Sequence, residues 1–156
     1  AGFLLNDGMD VFSAKPGAPN MFGLVGAEAN AIAPGKRMLS SMTPTIVLRG
    51  GKPYLVVGTP GGATIITSVF QTLVDLLDFR MTVSDAVNKP KFHEQWKPEP
   101  VDIEKGFPDS VRTAMEAMGY RFHAVGAIGR TEVIRIAGDS VEAVADHRGD
   151  DAAAGY

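Results

Sequence analysis

Hydrophobic positions along the chain change their period several times, and each change marks an element. Thr45-Ile46-Val47-Leu48 and Tyr54-Leu55-Val56-Val57 are short apolar runs rich in β-branched residues, separated by Arg49-Gly50-Gly51-Lys52-Pro53. Such runs on either side of a glycine turn predict a hairpin of two mostly buried strands. Over residues 63–78, Ile65, Ile66, Val69, Phe70, Leu73, Leu76 and Leu77 recur at three- and four-residue steps. That spacing predicts a helix with a wide apolar stripe, which a sheet must cover. Val83 to Asn88 predicts a short helix capped by Thr82 or Ser84 and stopped at Lys89-Pro90. Val101 to Glu104 predicts a strand, and residues 108–118 a helix ended by Gly119, after which residues 120–125 are extended. Residues 132–136 and 141–145 flank Ala137-Gly138-Asp139-Ser140 as a second hairpin.

The first third of the chain is different. Gly2-Phe3-Leu4-Leu5 reads as a buried strand already in progress, so the domain is expected to begin upstream of Ala1. Residues 6–20 are loop-like, with Asp7-Gly8 as a turn signal and Lys15-Pro16-Gly17-Ala18-Pro19-Asn20 as breakers. A loop of that length in a compact domain is often functional. Small residues continue to Ala33-Pro34-Gly35. A strand pair, then helices, then more strands predicts α+β layers in a single domain rather than βαβ alternation.

Composition narrows the function. At 156 residues and 45% hydrophobic, the chain is large enough to enclose a core. A formal net charge of −3 with scattered Lys and Arg supplies no basic stripe, so nucleic acid is not an expected partner. The absence of cysteine excludes disulfides, thiolate metal sites and cysteine nucleophiles. No apolar run reaches the roughly 20 residues of a membrane helix. His93, His123 and His147 are widely spaced, and His93-Glu94 has no second histidine four residues on, so no metal or other cofactor is expected. Asp150-Asp151 reads as a solvated tail rather than an acid-base pair, and Phe92 with Trp96 as local packing.

Two motifs retain chemistry. Thr59-Pro60-Gly61-Gly62 joins a predicted strand to the start of the amphipathic helix. Its glycine N–H groups at a helix N-terminus either bind an oxyanion or simply allow a tight turn. Ser40-Ser41 precedes a strand, where its hydroxyls either donate to a carboxylate or satisfy neighbouring backbone.

Several blocks together closely resemble the γ-glutamyltransferases: Asn6 to Asp10 with Phe12-Ser13-Ala14-Lys15-Pro16-Gly17; Ala29-Asn30-Ala31; the run from Pro34 to Thr45; Pro60-Gly61-Gly62; Pro90-Lys91-Phe92-His93-Glu94-Gln95-Trp96; and the terminal Ala154-Gly155-Tyr156. They stand in the family's order across the whole chain. The resemblance implies an N-terminal nucleophile hydrolase fold, an αββα sandwich that this chain completes only with a preceding segment and a large subunit cut from the same precursor. It implies a nucleophilic N-terminal threonine upstream of Ala1, with its α-amine as base, so that the chain alone is inactive. It assigns Ser40 and Ser41 to the α-carboxylate of the glutamyl group, Gly61 and Gly62 to the oxyanion hole, and the loop holding Gly8, Asp10 and Val11 to the substrate amine. The expected donor is a glutathione-like γ-glutamyl amide, and the acceptor an amine, peptide or water. A periplasmic or secreted location is implied by resemblance alone.

The amine loop departs from the family. The family pattern Asn-Asn-Gln-Met-Asp-Asp-Phe is here Asn6-Asp7-Gly8-Met9-Asp10-Val11-Phe12, so valine replaces the aspartate that meets the substrate ammonium. Phe22 likewise stands where many relatives have a lid tyrosine. Three functions therefore compete: γ-glutamyl transfer or hydrolysis, an acylase for glutaryl-type amides lacking the α-amine, and a non-catalytic relative. The isolated chain is expected to expose edge strands and apolar helix faces.

Overall fold

The computed structural model describes residues 2, 8–40 and 42–155. The chain divides into two compact units, residues 1–41 and 42–156.

In the first unit the expected loop contains one 3₁₀ turn, Gly8–Val11, and the small-residue stretch after it contains another, Glu28–Asn30. Asn30 ties them together: its carbonyl accepts from the Ser13 N–H at 2.9 Å, and its Nδ2 donates to the Val11 carbonyl at 2.8 Å. Asn20 Oδ1 accepts from the N–H groups of Phe22 and Leu24, the side-chain mimicry of a turn at which asparagine excels. Of the strand expected at Gly2-Phe3-Leu4-Leu5, Phe3 to Leu5 lie outside the described residues.

The second unit holds two sheets. Strands β1 (Thr45–Arg49), β2 (Lys52–Gly58), β6 (Glu132–Ala137) and β7 (Ser140–Val144) form an antiparallel sheet in the order β1-β2-β6-β7. Both predicted hairpins are present, but β1 is not the mostly buried strand expected: at the edge of its sheet it buries no residue, and Ile46 and Leu48 are 63% and 59% exposed. Strand β2 pairs with β6 from Leu55↔Arg135 to Gly58↔Glu132. Strands β3 (Phe92–His93), β4 (Val101–Glu104) and β5 (Phe122–Val125) form the second sheet, in which β4 and β5 run parallel.

Helix α1 (Ile65–Leu77) follows β2 through a 3₁₀ turn, Gly62–Thr64. Helix α2 (Val83–Asn88) begins where the sequence indicates, with Thr82 Oγ1 accepting from the Asp85 N–H. The core packs Leu55 and Val57 of β2 and Val133 of β6 against Val69 and Leu76 of α1 and Val83, Ala86 and Val87 of α2. Only part of the α1 stripe is covered. Ile66 and Phe70 remain 66% and 63% exposed, because the face against the core carries Ser68, Thr72 and Asp75 among its apolar residues. Helix α3 (Asp109–Glu116) buries nothing, and Arg112 pairs with both Asp109 and Glu116 along its outer face. Phe92 packs edge-on against Phe107, in the loop after β4, at 6.0 Å, whereas Trp96 is 77% exposed, so the expected Phe92–Trp96 packing is replaced by a contact between Phe92 and Phe107. Among the described residues no helix is long and apolar enough to cross a membrane.

Candidate functional site

Between β2 and α1 the chain turns through Thr59-Pro60-Gly61-Gly62, and the turn requires glycine. Gly61 has φ 148° and Gly62 φ 55°, conformations that L side chains rarely adopt. A Cβ on Gly61 would come within 2.5 Å of Thr64 Oγ1 and 3.3 Å of Gly129 Cα. The carbonyls of the turn are engaged. Thr59 Oγ1 donates to the Pro60 carbonyl at 2.7 Å, and the Thr64 N–H and Oγ1 donate to the Gly61 carbonyl at 3.0 and 2.9 Å. The amides are not: neither the Gly61 nor the Gly62 N–H donates a hydrogen bond to a described residue. Two donors without a described partner, in the 3₁₀ turn that leads into the 13-residue helix α1, are suited to an anionic oxygen, since the aligned peptide dipoles of the helix add partial positive charge at that end.

The segment 128–131 backs this turn, and three side-chain acceptors hold it. Glu104 Oε1 takes the Ile128 N–H, Thr59 Oγ1 the Arg130 N–H and Asp146 Oδ2 the Thr131 N–H, each at 2.7 Å. Gly129, at φ 68°, lies so close that an added Cβ would come 2.7 Å from Ser68 Oγ and 3.0 Å from Thr59 Oγ1. The two carboxylates are in turn joined by Arg148, whose Nε and Nη2 bind Glu104 and whose Nη1 binds Asp146 at 2.9 Å. Burial alone would raise the Glu104 carboxyl, but hydrogen bonds from Arg148 and from the Lys91 and Ile128 N–H groups hold it below its usual range. Lys91 is 2% exposed, and burial, reinforced by the Arg148 charge, lowers its ammonium to about 8. This network went unseen in the sequence: Glu104 ends an apolar strand and Arg148 sits in a polar stretch, and neither carries a motif.

The remaining predicted residues fall in the first unit. Gly8, Asp10 and Val11 share one 3₁₀ turn, each half-buried. Ser40 is exposed and outside any helix or strand, while Ser41 lies outside the described residues. His93 is buried, with Nδ1 2.8 Å from Thr67 Oγ1 and Nε2 2.8 Å from Gln95 Oε1, which occupies both ring nitrogens. Asp150 and Asp151 are exposed, as the sequence indicates, and Asp151 pairs with Arg130 Nε at 2.8 Å.

Comparison with known proteins agrees with this architecture. The γ-glutamyltranspeptidase family profile matches residues 1–156. The glutathione hydrolase proenzyme of Escherichia coli K12 is 48% identical over 158 residues, covering 100% of this chain and 27% of that protein. The corresponding proenzyme of Pseudomonas aeruginosa PAO1 is 49% identical over 153 residues, covering 96% of this chain and 28% of that protein. The chain thus spans little more than a quarter of these relatives. Among solved structures, a Helicobacter pylori γ-glutamyltranspeptidase mutant superposes with a TM-score of 0.89 at 46% identity, covering 96% of this chain and 83% of that one. The γ-glutamyltranspeptidase of Pseudomonas nitroreducens gives 0.90 at 44% identity, covering 100% and 83%. The α+β fold expected from the sequence is accordingly that of the N-terminal nucleophile hydrolases. The chain belongs to the γ-glutamyltranspeptidase family.

Proposed function

We propose that this chain supplies the oxyanion and substrate-recognition groups of an enzyme that hydrolyses or transfers γ-glutamyl amides such as glutathione. In this reading a threonine hydroxyl, on a part of the protein outside this chain, attacks the γ-carbonyl carbon. Its α-amine takes the hydroxyl proton, and the carbonyl oxygen becomes an oxyanion facing the Gly61 and Gly62 amides. Collapse expels the donor's amine, which carries off that proton, and leaves an acyl-enzyme for water or an acceptor amine to resolve. The single observation that carries the reading is that both glycine amides are left without a described partner while the carbonyls around them are engaged. Ser40 and Ser41 are assigned to the substrate α-carboxylate, Asp10 and the turn around Gly8 to its ammonium, and the large subunit of the same precursor is the partner.

A second reading rests on Val11. A carboxylate is missing where the family places one, which suits a glutaryl-type acyl group that lacks the α-amine. A cephalosporin acylase from Bacillus halodurans superposes with a TM-score of 0.71 at 25% identity. Both readings share one mechanism and differ only in substrate. Assay of the full-length protein with γ-glutamyl and glutaryl anilides separates them. Turnover of the γ-glutamyl compound is expected to dominate; a preference for the glutaryl compound transfers the assignment to the second reading, and no turnover of either removes both.

A further inference from the structure

We propose that Thr59 is a positioning residue for the oxyanion hole: its hydroxyl fixes the Pro60–Gly61 peptide plane and so aims the Gly61 N–H. The proposal rests on the reading of Gly61 and Gly62 as oxyanion donors. It goes beyond that reading in assigning a role to a side chain that touches neither substrate nor nucleophile.

In a trans peptide the C=O and N–H point in opposite directions, so whatever holds the carbonyl sets the direction of the amide. Lys97-Pro98 is the one cis bond among the described residues, so the Pro60–Gly61 bond is trans. Its carbonyl is held by Thr59 Oγ1 at 2.7 Å. A hydroxyl has one proton to donate, and at Thr59 the direction of that proton is fixed because the same oxygen already accepts the Arg130 N–H at 2.7 Å. Thr59 is therefore a junction: the strapped segment 128–131 orients the hydroxyl, the hydroxyl orients the carbonyl, and the carbonyl orients the Gly61 N–H. The neighbouring Gly61–Gly62 plane is held in the same manner by Thr64, but through its N–H as well as its hydroxyl. Loss of the Thr64 hydroxyl thus leaves a backbone bond in place. Loss of the Thr59 hydroxyl leaves the Pro60 carbonyl with no partner among the described residues, and the plane free to rotate. Without side-chain restraint that rotation is easy, because Gly61 tolerates φ values closed to other residues.

A misaimed oxyanion donor weakens transition-state binding while leaving ground-state binding intact, so the effect falls on kcat rather than KM. The test uses the full-length protein and the better of the two anilides, comparing Thr59→Val, Thr59→Ser and Thr64→Val, with the thermal midpoint of each. Thr59→Val, nearly isosteric, is expected to lower kcat about tenfold with KM within about twofold, less than the 10²–10³ that outright removal of a donor costs. Thr59→Ser, which keeps the hydroxyl, is expected to stay within about twofold of the unaltered protein, and Thr64→Val to lose less than Thr59→Val. An unchanged kcat in Thr59→Val, or an equal loss in Thr59→Ser, overturns the proposal. If Thr59→Val does not fold, the Thr59→Ser comparison still decides it: a loss of about tenfold there assigns the role to the methyl packing rather than to the hydroxyl. The reading of function fails in a different way, through absence of turnover by the unaltered protein, and the proposal falls with it.

Discussion

Arg148 grips Glu104 through two parallel hydrogen bonds, Nε to Oε1 at 2.7 Å and Nη2 to Oε2 at 2.6 Å, between residues 44 apart in the chain. The two side chains are 6% and 7% exposed. Burying such a pair costs desolvation on both sides, and it persists because every oxygen is satisfied: Glu104 also accepts the Lys91 and Ile128 N–H groups, and Asp146 the Thr131 N–H.

Breaking this clamp from one side should be far worse than removing it whole. Arg148→Met takes from the buried Glu104 and Asp146 the guanidinium that is hydrogen-bonded to both, and a loss of about 3–5 kcal/mol is expected. Adding Glu104→Gln to Arg148→Met should recover part of that loss, since an amide needs no counter-ion. Urea unfolding of the full-length variants, followed by circular dichroism, measures both. If Arg148→Met lies within about 0.5 kcal/mol of the unaltered protein, in the range of ordinary surface changes, the clamp is not holding the fold.

Lys91 predicts a pH dependence of definite sign. Its ammonium titrates near 10.5 in the unfolded chain and at about 8 when buried in the fold. Between those values the unfolded state holds more protons, so stability rises with pH from about 8 to about 10.5 and this contribution is flat below 8. At about 1.36 kcal/mol per pH unit the full swing is on the order of 3 kcal/mol. Lys91→Met should therefore be more stable than the unaltered protein at neutral pH, and its advantage should shrink towards pH 10. The Val87 carbonyl that Lys91 Nζ engages is not orphaned by the change, because Arg148 Nη1 also donates to it at 3.1 Å. An advantage that stays constant from pH 7 to 10 would show that the Lys91 charge does not set it.

The turn glycines should separate by their surroundings. Gly61→Ala places a Cβ 2.5 Å from Thr64 Oγ1 at φ 148°, and Gly129→Ala places one 2.7 Å from Ser68 Oγ at φ 68°. Each should cost about 1–3 kcal/mol in strain. Gly61→Ala should also lower kcat, because it moves the amide proposed to meet the oxyanion. Gly58→Ala, with nothing within 4 Å of the added Cβ, is the control and should leave stability nearly unchanged. Equal midpoints for all three variants would contradict the close approach of Gly129 to the turn.

What the sequence made legible follows from where the information lies. Helix α2 was readable to the residue because its start and stop are local: Thr82 caps the Asp85 N–H, and Lys89-Pro90 blocks continuation. Strand β3 was not, because Phe92–His93 is too short to show a period and is defined by its pairing with Ile103 and Asp102. The α1 stripe was read correctly as apolar and helical, yet periodicity cannot say that only part of it meets a sheet. In the site, the Gly61-Gly62 pair was visible as a motif. The support beneath it was not, since the bond from the Arg130 N–H to Thr59 Oγ1 spans 71 residues and glycine at position 129 signals nothing alone.

Val11 offers a test of substrate choice that leaves the scaffold alone. It closes the Gly8–Val11 turn, and its carbonyl is held by Asn30 Nδ2 at 2.8 Å, so the backbone is fixed independently of the side chain. The side chain is only half-buried, and a carboxylate there keeps access to water, so Val11→Asp should fold as the unaltered protein does. Under the proposed assignment the new carboxylate meets the ammonium of a γ-glutamyl substrate, and a charge-assisted hydrogen bond contributes roughly 1.5–3 kcal/mol. A glutaryl substrate has no ammonium and gains nothing. The ratio of kcat/KM for γ-glutamyl over glutaryl anilide should thus rise by about tenfold or more in Val11→Asp, with the thermal midpoint unchanged. Because the ratio cancels effects common to both substrates, a value equal to that of the unaltered protein means that position 11 does not face the substrate amine, and the recognition assigned to this turn would have to move elsewhere.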